Sequence, residues 1–153
     1  MINYFSKYKF FFYLCNFILI ILYLYPGSIL GWFLYNDVSL QPQITPNIDS
    51  IVSSNHVYAF LILSLIGFFT YKTIEKLKYL SIYLILLSII LEILHYYIPE
   101  RSFEFSDLFG NLIGVIIVII IFYIYIQEVF WVGFYIMIRA YNLKLLLILI
   151  LIL

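Results

Sequence analysis

The chain has 153 residues, of which 66% are hydrophobic and 10% are charged, with Lys plus Arg equal in number to Asp plus Glu. A soluble domain carries about 25% charged residues, so this chain has too little polar surface to coat a water-soluble globule. The balanced charge gives no indication of nucleic-acid binding, and the single cysteine excludes an internal disulfide or a cysteine-based metal site. The composition therefore predicts an integral membrane protein.

Four apolar segments approach the length of about 20 residues that a helix needs to cross the hydrocarbon layer. They are residues 10–25, 57–71, 79–98 and 108–126. Lipid offers no partner to free backbone groups, so each segment is predicted to be a helix. The predicted fold is all-α, a membrane bundle of four transmembrane helices.

The first two segments leave alternatives open. The first segment could continue to Leu34, past the Pro26-Gly27 break. It also has the charged start and apolar run of a signal peptide, but no small-x-small cleavage site follows it. We therefore expect it to remain as a span. The second is short, and we expect it to begin within residues 53–55.

Positive residues flank these segments asymmetrically. They precede the first segment (Lys7, Lys9), lie between the second and third (Lys72, Lys76, Lys78) and follow the fourth (Arg139, Lys144). The other two loops hold one cation, Arg101. The positive-inside rule places both termini in the cytoplasm, which predicts a cytoplasmic N-terminus at residues 1–9 and a multi-pass domain at 10–126. We expect it in the cytoplasmic (inner) membrane of a prokaryote.

Residues 127–153 form an apolar tail. Its two apolar runs, 129–138 and 145–153, are each too short to cross the membrane at about 1.5 Å per residue. Joined as a fifth span, they would bury Arg139 and Lys144 at a cost of about 2.5–3.5 kcal/mol each. We therefore predict an interfacial helix or a partial fifth helix, with a truncated reading frame as the alternative.

Residues 92–111 are the one dense polar patch of the chain, and they read EILHYYIPERSFEFSDLFGN. Under the predicted topology this patch lies at the outer face of the membrane, and so does His56 at the start of the second span. Because polar groups facing lipid are costly, we expect these side chains to point into the bundle or into a wet vestibule.

Helical spacing groups the polar residues further. Glu92 and His95 are three residues apart and share one face of the third helix, while Asp107 and Asn111, four apart, share one face of the fourth. Asp107 lies near the start of its helix, where a carboxylate serves as a cap. A second pattern in this helix, Gly110 and Gly114, is a small-xxx-small pair that allows another helix to approach closely.

Each of these residues also has a purely structural interpretation. Asp107 caps its helix, Asn111 makes an interhelical hydrogen bond, and Arg101 pairs with a loop acid instead of holding the phosphate or carboxylate of a ligand. Glu92, flanked by apolar residues, is costly unless it is paired or protonated, and a structural lock to His56, His95 or Arg101 would satisfy it. The sequence leaves these alternatives open.

Motif searches find no nucleotide loop, no zinc-protease motif and no nucleophile elbow. Di-iron bundles use two Glu-x-x-His motifs, and this sequence has one, Glu92-x-x-His95. We therefore expect no metal and no cofactor.

Residues 92–115, EILHYYIPERSFEFSDLFGNLIGV, resemble the signature of the VanZ-like membrane protein family. The positions that match that signature are Glu92, Pro99, Arg101, Asp107, Asn111 and Gly114, together with His56 in NHVYAF. The similarity covers about residues 55–126. The chain departs from the family pattern in two respects: His95 stands where the family usually has glutamine, and Val52-Ser53 stand in place of an Asp-Lys pair.

The resemblance implies four or five spans and a role in the cell envelope, since the founding members belong to glycopeptide-resistance clusters and are linked to teicoplanin resistance. We expect a pocket in the outer leaflet that binds a lipid-linked precursor or an amphiphilic, glycopeptide-type antibiotic among the membrane lipids. The residues expected to form it are His56, Glu92, Arg101, Asp107 and Asn111. The alternatives are an enzyme acting on a lipid headgroup, with Glu92 or His95 as general base, and a structural or partner-binding membrane protein.

Overall fold

The structure, a computed structural model, describes residues 4–42, 51–71 and 73–152, and it describes side chains for residues 7–42, 51–71 and 73–140. Within these ranges the chain is helical and contains no strand. The helices are α1 (Tyr4–Leu24), α2 (Ile29–Tyr35), α3 (Ser54–Thr70), α4 (Ile74–Leu94), a 3-10 turn (His95–Tyr97) and α5 (Phe105–Ile152). The predicted all-α fold is confirmed. Of the positive residues used to predict orientation, Lys72 and the side chain of Lys144 lie outside the described residues.

Three of the helical segments are long and apolar enough to cross a membrane, as in a multi-pass membrane protein. They are Lys7–Leu24, Ile74–Tyr97 and Phe105–Ala140. The second predicted span, α3, is helical and begins at Ser54, but its 17 residues make it a shorter apolar helix. Four predicted segments are therefore helices, and three of them have the length of a span.

The Pro26-Gly27 break ends the first helix, and the extension to Leu34 is a separate helix, α2. Gly27 has φ of +77°, and a Cβ there would lie 2.8 Å from the carbonyl oxygen of Val38. Ser28 then begins α2, because its Oγ accepts a hydrogen bond from the Gly31 N–H at 2.9 Å. The backbone therefore leaves helical geometry at this point, and α1 and α2 are separate helices.

Helix α4 shows how the sequence selects its inward face. Its buried leucines recur with alternating spacings of three and four residues, at Leu77, Leu80, Leu84, Leu87 and Leu91. This heptad spacing gives one stripe that faces neighbouring helices. Glu92 lies four residues after the buried Ser88 beside this stripe, so helical geometry carries it inward.

Helices α1, α3 and α4 pack against one another in pairs. Their buried side chains include Phe12, Leu19 and Tyr23 from α1 and Phe60, Leu63 and Phe68 from α3. Large apolar residues on the outer faces, such as Phe10 and Phe17, are exposed, which suits a surface in contact with lipid.

Helix α5 lies against α3 where it carries two glycines. A Cβ on Gly110 would lie 2.6 Å from the Ser53 carbonyl oxygen, and one on Gly114 would lie 2.5 Å from the Val57 carbonyl oxygen. Backbone therefore meets backbone here, with no room for a side chain. This close approach brings the start of α5, with Asp107 and Asn111, beside the start of α3.

The chain divides into two compact units, Met1–Ile119 and Ile120–Leu153. The second unit is helical as far as Ile152, and most of its described apolar side chains, including Trp131 and Tyr135, are exposed. The tail predicted at 127–153 does not begin a new helix, because Gln127 and Glu128 continue α5. Both are good helix formers and no proline interrupts them, so residues 127–152 are helical as part of α5, and the expectation of an interfacial or partial fifth helix stays a prediction. The side chains of residues 141–153 lie outside the described ones.

Candidate functional site

A polar cluster lies where α1 and α4 end and where α3 and α5 begin, within the first unit. We define the polar cluster as six residues from these four helices and the turn that follows α4. They are Tyr23, His56, Glu92, His95, Asp107 and Asn111. Glu92 and Asn111 are 0% exposed and His95 is 1% exposed, so these groups are withdrawn from both water and lipid. The remainder of the core is apolar apart from small hydroxyl side chains such as Ser64, Thr70 and Ser88.

Glu92 and His95 form a pair one helical turn apart. Glu92 Oε1 lies 3.3 Å from His95 Nδ1 and also accepts the Glu104 backbone N–H at 3.1 Å. His95 Nε2 lies 3.1 Å from the Tyr23 carbonyl oxygen. A carbonyl only accepts, so Nε2 is the donor in the contact with Tyr23. The His95 ring thus connects the end of α1 to the Glu92 carboxyl group.

His56 and Asp107 join the starts of α3 and α5. His56 Nδ1 lies 3.3 Å from Asp107 Oδ1, within ion-pair distance, although the ring is not oriented for a hydrogen bond. Asp107 also accepts a hydrogen bond from the Ser53 side chain. Helix α5 begins at Phe105, which makes Asp107 its third residue. Asp107 is therefore not the N-cap residue, one of the alternatives that the sequence left open, but it stands in the first turn, where the helix dipole favours a negative charge.

Tyr23 connects the two histidines to Asn111, and sequence reasoning missed it. Its ring centroid lies 5.1 Å from that of His56 and 5.9 Å from that of His95, and the His95 ring is stacked on it. Its hydroxyl donates to Asn111 Oδ1 at 2.6 Å. The signal for it was present, because Tyr23 is on the same face of α1 as the buried Phe12 and Leu19, at the outer end of the predicted span.

Arg101 lies beside the polar cluster and binds the end of α1. Its Nε donates to the Tyr25 carbonyl oxygen at 3.4 Å and its Nη2 to that of Leu22 at 3.5 Å. In the described part of the chain no carboxylate lies within ion-pair distance of Arg101, so the predicted loop salt bridge is not made. Burial lowers the pKa of the guanidinium, and the charges of Asp107 and Glu92 oppose that effect. The two bonds use two of its five donors.

Three buried polar atoms of the polar cluster have no hydrogen-bond partner among the described residues. They are His56 Nδ1, Glu92 Oε2 and Asn111 Nδ2. Ligand atoms of His56, Glu92 and Asp107, one from each residue, all lie within 4.8 Å of one another. The structure thus brings together three of the five residues predicted to bind a ligand, and Tyr23 ties Asn111 to them. Arg101 lies beside them but donates its hydrogen bonds to carbonyl oxygens at the end of α1.

Such an arrangement can accept a cation between its carboxylates or a polar group that offers both donors and acceptors. Comparison with known proteins gave no match, whether to a family model, to a curated protein or to a solved structure. Membership of the VanZ-like family therefore stays a prediction from the residues of the patch.

Proposed function

We propose that the chain is a VanZ-like membrane protein of the cell envelope whose polar cluster binds the headgroup of a lipid-linked or other amphiphilic molecule. The observation that supports this most is that buried atoms of His56, Glu92 and Asn111 have no hydrogen-bond partner within the described part of the chain. A buried polar atom without a partner costs about 1–3 kcal/mol, and three of them in one cluster favour a polar group that enters and meets them. Donors and acceptors are both among them.

The same proposal includes four spans, with α3 as the fourth. At about 1.5 Å per residue its 17 residues reach about 25 Å, a little less than the hydrocarbon layer of about 30 Å. Local thinning of the bilayer accommodates such a difference at modest cost. Four spans place both termini in the cytoplasm and the polar cluster at the outer leaflet, at the depth of lipid headgroups.

Arg101 supplies the positive charge that an anionic headgroup requires. It sits next to the polar cluster, and its two bonds to α1 carbonyls leave three donors for a phosphate or carboxylate. The segments that follow α1 and α4 carry exposed aromatic residues, including Trp32, Tyr96 and Tyr97, which suit the membrane interface. An amphiphile would therefore meet charge at its headgroup and aromatic rings beside its chain.

The test is photocrosslinking of the purified full chain in nanodiscs to a diazirine-labelled polyprenyl phosphate, with a neutral diacylglycerol probe for comparison. We expect Arg101→Ala and Asn111→Ala to reduce crosslinking of the phosphate probe at least about tenfold, because each removes donors to the headgroup. Glu100→Gln, a change at an exposed acid of the same loop, is the control and should crosslink as the unchanged chain does. Equal crosslinking of both probes in all variants would refute headgroup binding.

A structural role is the second candidate, and the hydrogen bonds between helices favour it. Tyr23 to Asn111 joins α1 to α5, and His95 to the Tyr23 carbonyl joins α1 to the end of α4. If these bonds only lock the bundle, Glu92→Gln will lower the melting temperature in detergent and leave crosslinking at equal folded concentration unchanged. Loss of crosslinking in a folded Glu92→Gln variant favours the binding function instead.

A further inference from the structure

We propose that His56, Glu92 and Asp107 bind a divalent metal ion. This site shares His56 Nδ1 and Glu92 Oε2 with the proposed headgroup site, and its test is separate, because metal retention is measured without an amphiphile. The three residues come from three different helices, α3, α4 and α5. A bound ion would therefore hold together helices that the chain connects only through loops.

The distances fit a metal ion. One ligand atom from each residue lies within 4.8 Å of the other two, and three points so spaced always lie within about 2.8 Å of a common point. Bonds from Zn²⁺ to imidazole nitrogen and carboxylate oxygen measure about 2.0–2.2 Å, so an inward shift of at most about 0.8 Å brings each ligand atom to bonding distance. His56 Nδ1 and Asp107 Oδ1 are already 3.3 Å apart, close to the separation of about 3.4 Å between two ligands on a tetrahedral ion.

Burial supplies the second, independent observation. Glu92 is 0% exposed, yet its Oε2 has no hydrogen-bond partner among the described residues, and His56 Nδ1 also lacks one despite its short distance to Asp107. Two carboxylates this close in an apolar core repel each other when both are ionised. A divalent ion between them removes that repulsion and gives both unpartnered atoms a ligand bond.

Hydrogen bonds and ring contacts from neighbouring residues orient the three proposed metal ligands, as outer contacts do in metal sites generally. Glu92 Oε1 is occupied by His95 Nδ1 and by the Glu104 N–H, which leaves Oε2 as the free oxygen. The Ser53 side chain donates to Asp107, and the Tyr23 ring packs against the imidazole of His56. Such outer contacts fix the orientation of ligands and raise affinity. His95 is therefore a positioning residue that acts through Glu92.

The donor set narrows the choice of ion. One imidazole nitrogen, two carboxylate oxygens and no thiolate suit Zn²⁺ or Mn²⁺ better than soft ions such as Cu⁺. Two carboxylates also balance the charge of a divalent ion inside an apolar bundle. Three protein ligands leave at least one position for water or for an oxygen of another molecule.

The experiment uses the full chain, free of any polyhistidine tag, purified in detergent, treated with a chelator and returned to metal-free buffer. Zn²⁺ or Mn²⁺ is added, unbound ion is removed by gel filtration, and bound metal is measured by mass spectrometry alongside the melting temperature. We expect about one ion per chain for at least one of the two metals and a melting temperature that rises with metal.

His56→Ala and Asp107→Asn should bring bound metal to background, and His95→Gln should weaken affinity by about 10–100-fold through the orientation of Glu92. Glu100→Gln is the matched control and should bind as the unchanged chain does. If the unchanged chain holds no more of either metal than the His56→Ala variant, the metal site is refuted. Should the His56→Ala variant not fold, the unchanged chain and the folded Glu100→Gln control still test the site, because failure of both to retain either added metal refutes it.

Discussion

Tyr23 shows how one residue serves both the apolar core and the polar cluster. Its ring packs edge-on against Phe60 at 5.6 Å and lies against both histidine rings, while its hydroxyl reaches Asn111. A phenylalanine would fill the same space but would leave Asn111 Oδ1 buried without a donor. The Tyr23 side chain thus buries a large ring and also gives the buried Asn111 Oδ1 a hydrogen-bond donor.

Tyr23→Phe should therefore destabilise the protein by about 1–3 kcal/mol, the cost of leaving a buried acceptor unsatisfied. The measurement is the free energy of unfolding in mixed micelles titrated with denaturing detergent. Tyr97→Phe, which removes a hydroxyl from a side chain that is 81% exposed, is the control and should change the free energy by less than about 0.5 kcal/mol. An equal effect of the two substitutions would show that the bond to Asn111 contributes nothing.

The contact between α3 and α5 positions the polar cluster at the scale of secondary-structure elements. Gly114 places the two backbones against each other, since a Cβ there would lie 2.5 Å from the Val57 carbonyl oxygen and 2.8 Å from the Leu61 nitrogen. Neither atom belongs to a flexible side chain, so any side chain at this position must push a whole helix away. The distance between His56 and Asp107, one on each helix, depends on this contact.

We expect Gly114→Ala to destabilise the protein by about 1–3 kcal/mol through overpacking and to weaken metal binding, because His56 moves away from Asp107. Thermal unfolding and bound metal are the measurements. Gly133→Ala offers a matched control on the same helix, since a Cβ there meets nothing within 4 Å. That change should leave stability unchanged or raise it, as alanine is the better helix former. If Gly114→Ala keeps the stability and the metal content of the unchanged chain, the close contact between α3 and α5 does not position His56 and Asp107.

At the scale of the whole molecule, the side of the membrane on which each loop lies decides what the polar cluster can meet. Ser39 follows α2, Lys78 lies in the first turns of α4 and Ser102 lies between α4 and α5. If α3 crosses the membrane, Ser39 and Ser102 share one side and Lys78 is on the other. If α3 does not cross, Ser39 and Lys78 share a side.

Single cysteines at these three positions, in a Cys15→Ser background, test the proposed four spans in intact cells. A membrane-impermeant maleimide should label Ser39→Cys and Ser102→Cys from outside and Lys78→Cys only after permeabilisation, because the positive residues stay in the cytoplasm. Labelling of Lys78→Cys from outside would reverse the proposed orientation. If Ser39→Cys and Lys78→Cys are labelled under the same conditions, both loops lie on one side of the membrane and α3 does not cross it.

By itself, the sequence determined the membrane class, the helical state and the residues of the polar patch. Composition excludes a soluble fold, lipid forces backbone groups to pair within each helix, and the heptad leucines of α4 turn Glu92 inward. The spacing of Glu92 and His95 predicted their contact, because residues three apart on a helix share a face. These conclusions depend only on neighbours along the chain.

Only the tertiary structure decided which distant groups meet. Tyr23 lies 88 residues from Asn111 and 72 from His95 along the chain, and no local spacing predicts those bonds. Arg101 donates to α1 carbonyls, a partner that its charge did not predict, since charge left open only a loop acid or an anionic ligand. The proximity of His56, Glu92 and Asp107 likewise follows from how three helices rotate and approach, which depends on packing at positions such as Gly110 and Gly114.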